Sequence, residues 1–131
     1  LMNEHQQKGK HVLSSLMPVV NATELQQSRD LVRQVFVEPK LMEFIVRIVQ
    51  ATRNDASLYL GASPRAALAL LHASKALAVI RDRDFILPED ILNMALPVLR
   101  HRIALTPERE MEGATSDVVL QEILAKLEVP R

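Results

Sequence analysis

The chain has 131 residues, of which 48% are hydrophobic and 24% charged, and its 16 basic residues balance its 16 acidic ones. This length and composition are typical of one soluble globular domain. The neutral total weighs against nucleic-acid binding, which usually needs a basic surplus. The chain has no cysteine, which excludes disulfides and fits a cytoplasmic location. No apolar run reaches the ~18–20 residues that cross a bilayer, so we expect no membrane segment.

The first 22 residues open polar, and Pro18 interrupts any helix there. Because the chain starts at Leu1 within a polar stretch, we expect residues 1–22 to be a linker from a domain upstream. We expect residues 23–131 to form the domain itself. Asn21 or Thr23 can cap a first helix that runs to about Val35.

The clearest amphipathic helix is predicted from Pro39 to Arg53. Its apolar stripe has the three-and-four spacing of a helix face and consists of Leu41, Phe44, Ile45, Ile48, Val49 and Thr52. Two short β-prone runs, residues 35–37 and 85–87, could pair as a two-strand ribbon.

Ser63 and Pro64 predict the start of a helix that runs to about Ile80, because a hydroxyl can cap and proline is favoured at the first position. This helix is apolar nearly all round, so we expect it in the middle of a bundle. A further helix is predicted from Pro88, and Pro97 should kink or end it.

Residues 106–115 are charged and are predicted to form a loop. Thr115 or Ser116 is expected to cap a last helix that runs to about Lys126. The predicted fold class is therefore all-α, a small bundle of five or six helices to which the two β-prone runs could add the ribbon.

Motifs for independent catalysis are missing from the sequence. It has no phosphate loop, and its three glycines lie far apart. No histidines have a metal-ligand spacing, and no carboxylate pair lies in an apolar run. We therefore expect no enzymatic activity from this chain alone, and no metal site.

One segment, Gly61-Ala62-Ser63-Pro64-Arg65, has the chemistry of an anion site. Arg65 places a cation at the positive end of a helix, which costs up to about 1 kcal/mol unless an anion binds there. The first-turn N–H groups and the guanidinium would then bind it together. Gly61 allows a close backbone approach or a positive φ. The alternative is a surface arginine whose stem covers apolar neighbours.

The segment from Leu60 to Leu68 resembles the second-sensor helix of MoxR-type AAA+ ATPases. Four other stretches resemble the same family in the same order, so that the match runs from about Pro18 to the C-terminus. They are Ala51-Thr52-Arg53, Arg83 to Ile91, Val98 to Ile103 and Val129-Pro130-Arg131. Any one of these motifs is weak, but five in order are specific.

The resemblance implies a C-terminal helical lid domain of an AAA+ ATPase, in a chaperone-like remodelling machine. Arg65 would be catalytic as the γ-phosphate sensor, only together with the ATPase core, and Gly61, Ser63, Pro64 and Arg65 would bind the nucleotide. ATP and Mg²⁺ would be held by the full-length parent protein and not by the isolated chain. The implied partners are the chain's own upstream ATPase core, neighbouring subunits of a homo-oligomeric ring, commonly a hexamer, and von Willebrand A-domain proteins.

The sequence departs from the family pattern at two positions. Asp82 stands where the family usually has glycine, and aspartate tolerates the left-handed backbone better than most residues. Leu87 stands where the family often has threonine, and because leucine cannot cap, the next helix start needs another partner or frays.

The main functional alternative is an autonomous helical protein-interaction module with no nucleotide role, which would not need Arg65. A DNA-binding domain ranks last, since neither proline-started helix is a basic recognition helix. Arg53 is favourable simply as a cation at a helix C-terminus. The cluster Arg100-His101-Arg102 is expected to be a solvated or interface face.

Overall fold

The computed structural model describes residues 16–130, which fall into two units, one ending at Asp30 and the other beginning at Leu31. The other residues of the predicted linker, 1–15, and Arg131 lie outside the described residues. This part of the chain forms six helices and two short strands, which confirms the all-α class. In chain order they are α1 (Ala22–Gln34), α2 (Pro39–Asn54), β1 (Leu58–Leu60), α3 (Pro64–Ile80), α4 (Pro88–Leu99), β2 (Ala104–Leu105), α5 (Pro107–Met111) and α6 (Ser116–Ala125).

Helix α1 begins with a capping box. Asn21 Oδ1 accepts the Glu24 N–H at 2.9 Å, and Glu24 Oε2 accepts the Asn21 N–H at 2.8 Å. Two first-turn donors are thereby satisfied, and the cap expected at Asn21 is confirmed. No residue of this helix is buried.

The core lies among α2, α3, α4 and α6. Helix α2 buries all six positions of its predicted stripe, and α3 packs against both α2 and α4. The prediction that α3 lies in the middle of the bundle is correct for one face only, since Leu68 is 58% and Ile80 79% exposed. The large apolar side chains that are fully buried are Phe44, Ile48, Leu70, Ile91, Leu99, Leu120 and Val119.

The two-strand sheet forms at a place that the sequence analysis did not predict. Strand β1 runs antiparallel to β2, with Leu58 opposite Leu105. The ribbon expected between residues 35–37 and 85–87 is reduced to one parallel bridge, Phe36 with Phe85. Only residues 35–38 connect α1, which ends at Gln34, with α2, which begins at Pro39.

The structure bears on two further local predictions. Of the two outcomes expected at Pro97, a kink or an end of the helix, the end is excluded, because α4 runs on to Leu99. A proline in the last turn costs only one helical hydrogen bond. Part of the expected loop 106–115 is the short helix α5, where Thr106 Oγ1 accepts the Arg109 N–H at 3.4 Å. A Thr-Pro start of the kind expected at Ser63-Pro64 begins this helix within a charged stretch.

The start of α6 agrees with its prediction, because Thr115 Oγ1 accepts the Val118 N–H at 3.3 Å. Within residues 16–130 no helix is long and apolar enough to span a bilayer.

The turn between α3 and α4 is held by Asp90, whose side chain is fully buried. Its carboxylate accepts hydrogen bonds from Arg83 at 2.7 and 2.8 Å, from Arg81 at 2.9 Å and from the Leu87 N–H at 2.8 Å. Asp90 is thus the partner that the helix start needs in place of a capping residue at Leu87. Asp82 has a φ of 56°, which confirms that aspartate adopts the left-handed turn here.

Burial alone would raise the pKa of the Asp90 carboxyl. The hydrogen bonds from Arg83 and the Leu87 N–H outweigh this effect, with the attraction of the Arg83 and Arg81 charges, and lower the pKa below its ordinary value. The network therefore fixes a charged aspartate in the core.

Candidate functional site

Gly61 lets the connection from β1 to α3 cross the end of α2 at very short range. A Cβ atom on Gly61 would lie 2.5 Å from Arg53 Cα and 2.6 Å from the Thr52 carbonyl oxygen. Both neighbours are backbone atoms, which cannot move without displacing the helix. Of the two roles that the sequence left open for Gly61, the close approach is the correct one.

Thr52 holds the same connection by hydrogen bonding. Its Oγ1 accepts the Ala62 N–H at 3.0 Å and donates to the Val49 carbonyl at 2.7 Å, and both Thr52 and Ala62 are fully buried. The sequence analysis counted Thr52 only as a stripe position. A hydroxyl within an otherwise aliphatic stripe was the signal that could have revealed this role, since a buried polar group needs a partner.

Ser63 lies at the N-cap position, and Pro64 is the first residue of α3, as predicted. The expected cap is absent, however, because the extended Ser63 (φ −79°, ψ 163°) makes no side-chain hydrogen bond to the first turn. Ser63 is exposed, so water can satisfy the first-turn donors instead. The hydroxyl is left available to a ligand.

Arg65 lies exposed in the first turn of α3, which contains no acidic residue. It lines a groove of about 630 Å³ between α2 and α3, whose other lining residues are Val46, Val49, Gln50, Arg53, Pro64, Ala67 and Leu68. Gly61 and Ser63 are not lining residues. Within the described range, Arg65 pairs with no carboxylate. The structure therefore brings Pro64 and Arg65 to the groove, whereas Gly61 allows the connection from β1 to approach the end of α2.

Comparisons with known proteins identify the domain that carries this groove. The family model described as AAA lid domain matches residues 50–123, a stretch that includes Arg53 and the whole Gly61–Arg65 segment. The chain is 30% identical over 122 residues to the chaperone MoxR1 of Mycobacterium tuberculosis, a match that covers 86% of this chain. This chain is the C-terminal lid domain of a MoxR-type AAA+ ATPase.

Two further matches cover most of the lid domain. It is 36% identical over 124 residues, 95% of the chain, to the uncharacterized protein YeaC of Bacillus subtilis. It matches the 2.00 Å crystal structure of a candidate ATPase from Cytophaga hutchinsonii with a TM-score of 0.81, at 28% identity and over 98% of this chain. The chain spans only 39% of YeaC, 32% of MoxR1 and 43% of the crystallised protein.

Arg53 lies in the last turn of helix α2 of the lid domain and is the second arginine in the groove. Like Arg65 it is exposed, and it forms no ion pair within residues 16–130. The sequence analysis explained its position only by the helix dipole and did not place it beside Arg65, because nothing in the sequence showed that β1 returns to the end of α2.

The other basic cluster of the lid domain has a different environment. Arg100 Nε lies 3.2 Å from Asp117 Oδ1 and also donates to the Leu96 carbonyl at 3.3 Å. None of Arg100, His101 and Arg102 lines the groove of Arg65. In the part of the chain that the structure describes, no group of three or more histidine and acidic side chains could hold a metal ion.

Proposed function

We propose that this lid domain contributes to ATP binding and hydrolysis by its full-length parent, with Arg65 as the γ-phosphate sensor. The observation that carries the proposal is the unpaired guanidinium in the first turn of α3. It lies on a groove whose walls are held together by Gly61 and Thr52. A cation at the positive end of a helix is unfavourable alone and becomes favourable beside a bound anion.

The residues present suit a nucleotide phosphate. A guanidinium presents a planar fork of donors that matches phosphate oxygens. Pro64 sets the start of α3, the free Ser63 hydroxyl is a further donor, and Gly61 keeps the segment against α2. Because the γ-phosphate contact exists only before hydrolysis, the position of Arg65, and with it the lid, would follow the nucleotide state.

The rest of the reaction belongs to the parent protein. The chain has no phosphate loop, so ATP and Mg²⁺ would be held mainly by the ATPase core. We propose that the parent works in the cytoplasm as a homo-oligomeric ring, a hexamer, that remodels client proteins, with von Willebrand A-domain proteins among its partners. The chaperone description of MoxR1 supports a remodelling role.

One observation favours the alternative, an interaction module with no nucleotide role. Val46 and Leu68 on the groove are 47% and 58% exposed, and exposed apolar residues also suit a docked helix. The unpaired Arg65 argues for the nucleotide, because an apolar docking groove has no need of a cation.

The steady-state ATPase activity of the full-length parent tests the proposal. We expect Arg65→Ala to lower kcat about tenfold or more, a loss of about 1.4 kcal/mol or more of transition-state stabilisation. The matched control is Arg47→Ala, since Arg47 is an exposed arginine of α2 that lies over the Phe44 ring and outside the groove. Equal turnover and equal ATP affinity in wild type and Arg65→Ala would contradict the sensor role and favour the interaction module.

A further inference from the structure

We infer that Arg53 is a second nucleotide-contacting residue, which donates from the opposite wall of the groove to the polyphosphate that Arg65 senses. This inference rests on the proposed function and extends it to a residue on a different helix. Arg53 lies in the last turn of α2 and Arg65 in the first turn of α3, and both line the same groove.

The two positive charges on the groove are not balanced by the protein that the structure describes. None of the residues lining the groove is acidic. The carboxylate nearest to Arg53 in sequence is Asp55, and it is already engaged. It accepts the Ser57 N–H at 2.9 Å and lies 3.4 Å from the Lys126 ammonium. Asp55 therefore pairs with Lys126, directly after the end of α6, and leaves Arg53 unpaired.

The backbone of Arg53 lies directly against the segment that leads to Arg65. Gly61 crosses so close that a Cβ there would lie 2.5 Å from Arg53 Cα and 2.7 Å from Arg53 N. This contact brings the end of α2 and the start of α3 together, so that both arginines line one groove.

The helix dipole does not fully explain this arrangement. A cation is favourable at the C-terminal end of α2. An arginine side chain that extends into water would gain the same stabilisation without lining the groove. The two arginines on the groove repel each other. When an anion with several negative charges lies between them, the attraction of each arginine to the anion outweighs this repulsion. A nucleoside triphosphate is such an anion, and its separate phosphate groups can engage two guanidinium forks at once.

The test uses the full-length parent and measures the dissociation constant of ATP for wild type, Arg53→Ala and Arg53→Lys, with Arg47→Ala as control. We expect Arg53→Ala to weaken ATP binding about tenfold. Arg53→Lys should retain part of the affinity, because lysine keeps the charge and loses the fork. The difference between wild type and Arg53→Ala should shrink as the salt concentration rises, since salt screens exposed charges.

The Arg65→Ala variant, measured in parallel, separates the two claims. If Arg65→Ala impairs ATP turnover while Arg53→Ala binds ATP as wild type does, the inference about Arg53 is wrong and the proposed function stands. If Arg53→Ala leaves ATP affinity intact and changes only ring assembly, Arg53 lies at a protein interface and the inference is overturned. If neither variant differs from wild type, both claims fail together. Urea unfolding of each variant checks that the fold is retained.

Discussion

Single residues with no charge set the position of the arginine on which the proposed function depends. Gly61 removes the side chain that would collide with the end of α2, and Thr52 supplies the hydrogen bond that a buried Ala62 N–H requires. Arg65 follows a few residues later in the chain, so these two contacts also set the position of its backbone. The anion site therefore remains a prediction from its segment, whereas the contacts that support this segment could only be found in three dimensions.

Thr52→Val tests the support of this segment. Valine has nearly the shape of threonine but cannot accept the Ala62 N–H, which is fully buried. An unsatisfied buried donor costs about 1–3 kcal/mol, so we expect a loss of that size in the free energy of unfolding, measured by urea titration of the chain. Thr52→Ser keeps the hydroxyl and is the matched control, with only the loss of one methyl group. A Thr52→Val variant no less stable than Thr52→Ser would show that the hydrogen bond is unimportant.

At the scale of whole elements, the helices with a clear periodic face were predictable. The stripe of α2 was correct at all six positions, because one wide apolar face leaves a helix only one way to pack. The β1–β2 pair was missed, since it joins segments about 45 residues apart and neither is a long alternating run. Helix α5 was not predicted, because a charged composition is typical of a loop, although the segment begins with an ordinary Thr-Pro helix start.

One principle explains both why Ser63 does not cap α3 and why Asp90 holds the start of α4. Capping depends on whether a side chain faces the helix end in the folded state, which neighbouring elements decide. Leu87 cannot cap, yet the start of α4 is held by Asp90, which two arginines fix in place. The pairing of Asp90 with Arg81 and Arg83 could not be predicted from the sequence, because it depends on the shape of the turn between α3 and α4.

The Asp90 network predicts a pH-dependent contribution to stability. Because the folded state lowers the pKa of Asp90, its contribution is fully present above the unfolded value of about 3.9 and is lost as the pH falls through the folded pKa. We expect Asp90→Asn to cost about 2–3 kcal/mol at pH 7, less than for a fully buried pair because Arg81 and Arg83 reach solvent. Towards about pH 3 the difference between wild type and Asp90→Asn should shrink.

Urea unfolding over a pH series from 7 to about 3 measures this difference. Asp84→Asn is the control, since Asp84 is an exposed carboxylate of the same turn. A difference between wild type and Asp90→Asn that stayed constant down to pH 3 would contradict the role of the charged carboxylate.

At the scale of the whole molecule, the lid domain is a helical scaffold with a groove lined by two arginines. It matches the AAA lid domain family over residues 50–123 and supplies no phosphate loop of its own. The proposed function therefore requires that these arginines meet a nucleotide held elsewhere in the parent protein. The family and the fold could be predicted from five short motifs. The position of Arg53 on the same groove as Arg65 could not be predicted, because it depends on the path of β1.

The central claim is that Arg65 senses the γ-phosphate, and the ratio of ATP to ADP affinity tests it most directly. The measurement is the dissociation constant of each nucleotide for the full-length parent, wild type against Arg65→Ala, with Mg²⁺ present and hydrolysis prevented by a slowly hydrolysed ATP analogue. We predict that Arg65→Ala weakens binding of the triphosphate about tenfold and leaves ADP binding nearly unchanged, because ADP lacks the phosphate that Arg65 contacts. Equal losses for the two nucleotides, or no loss for either, would contradict the sensor role of Arg65.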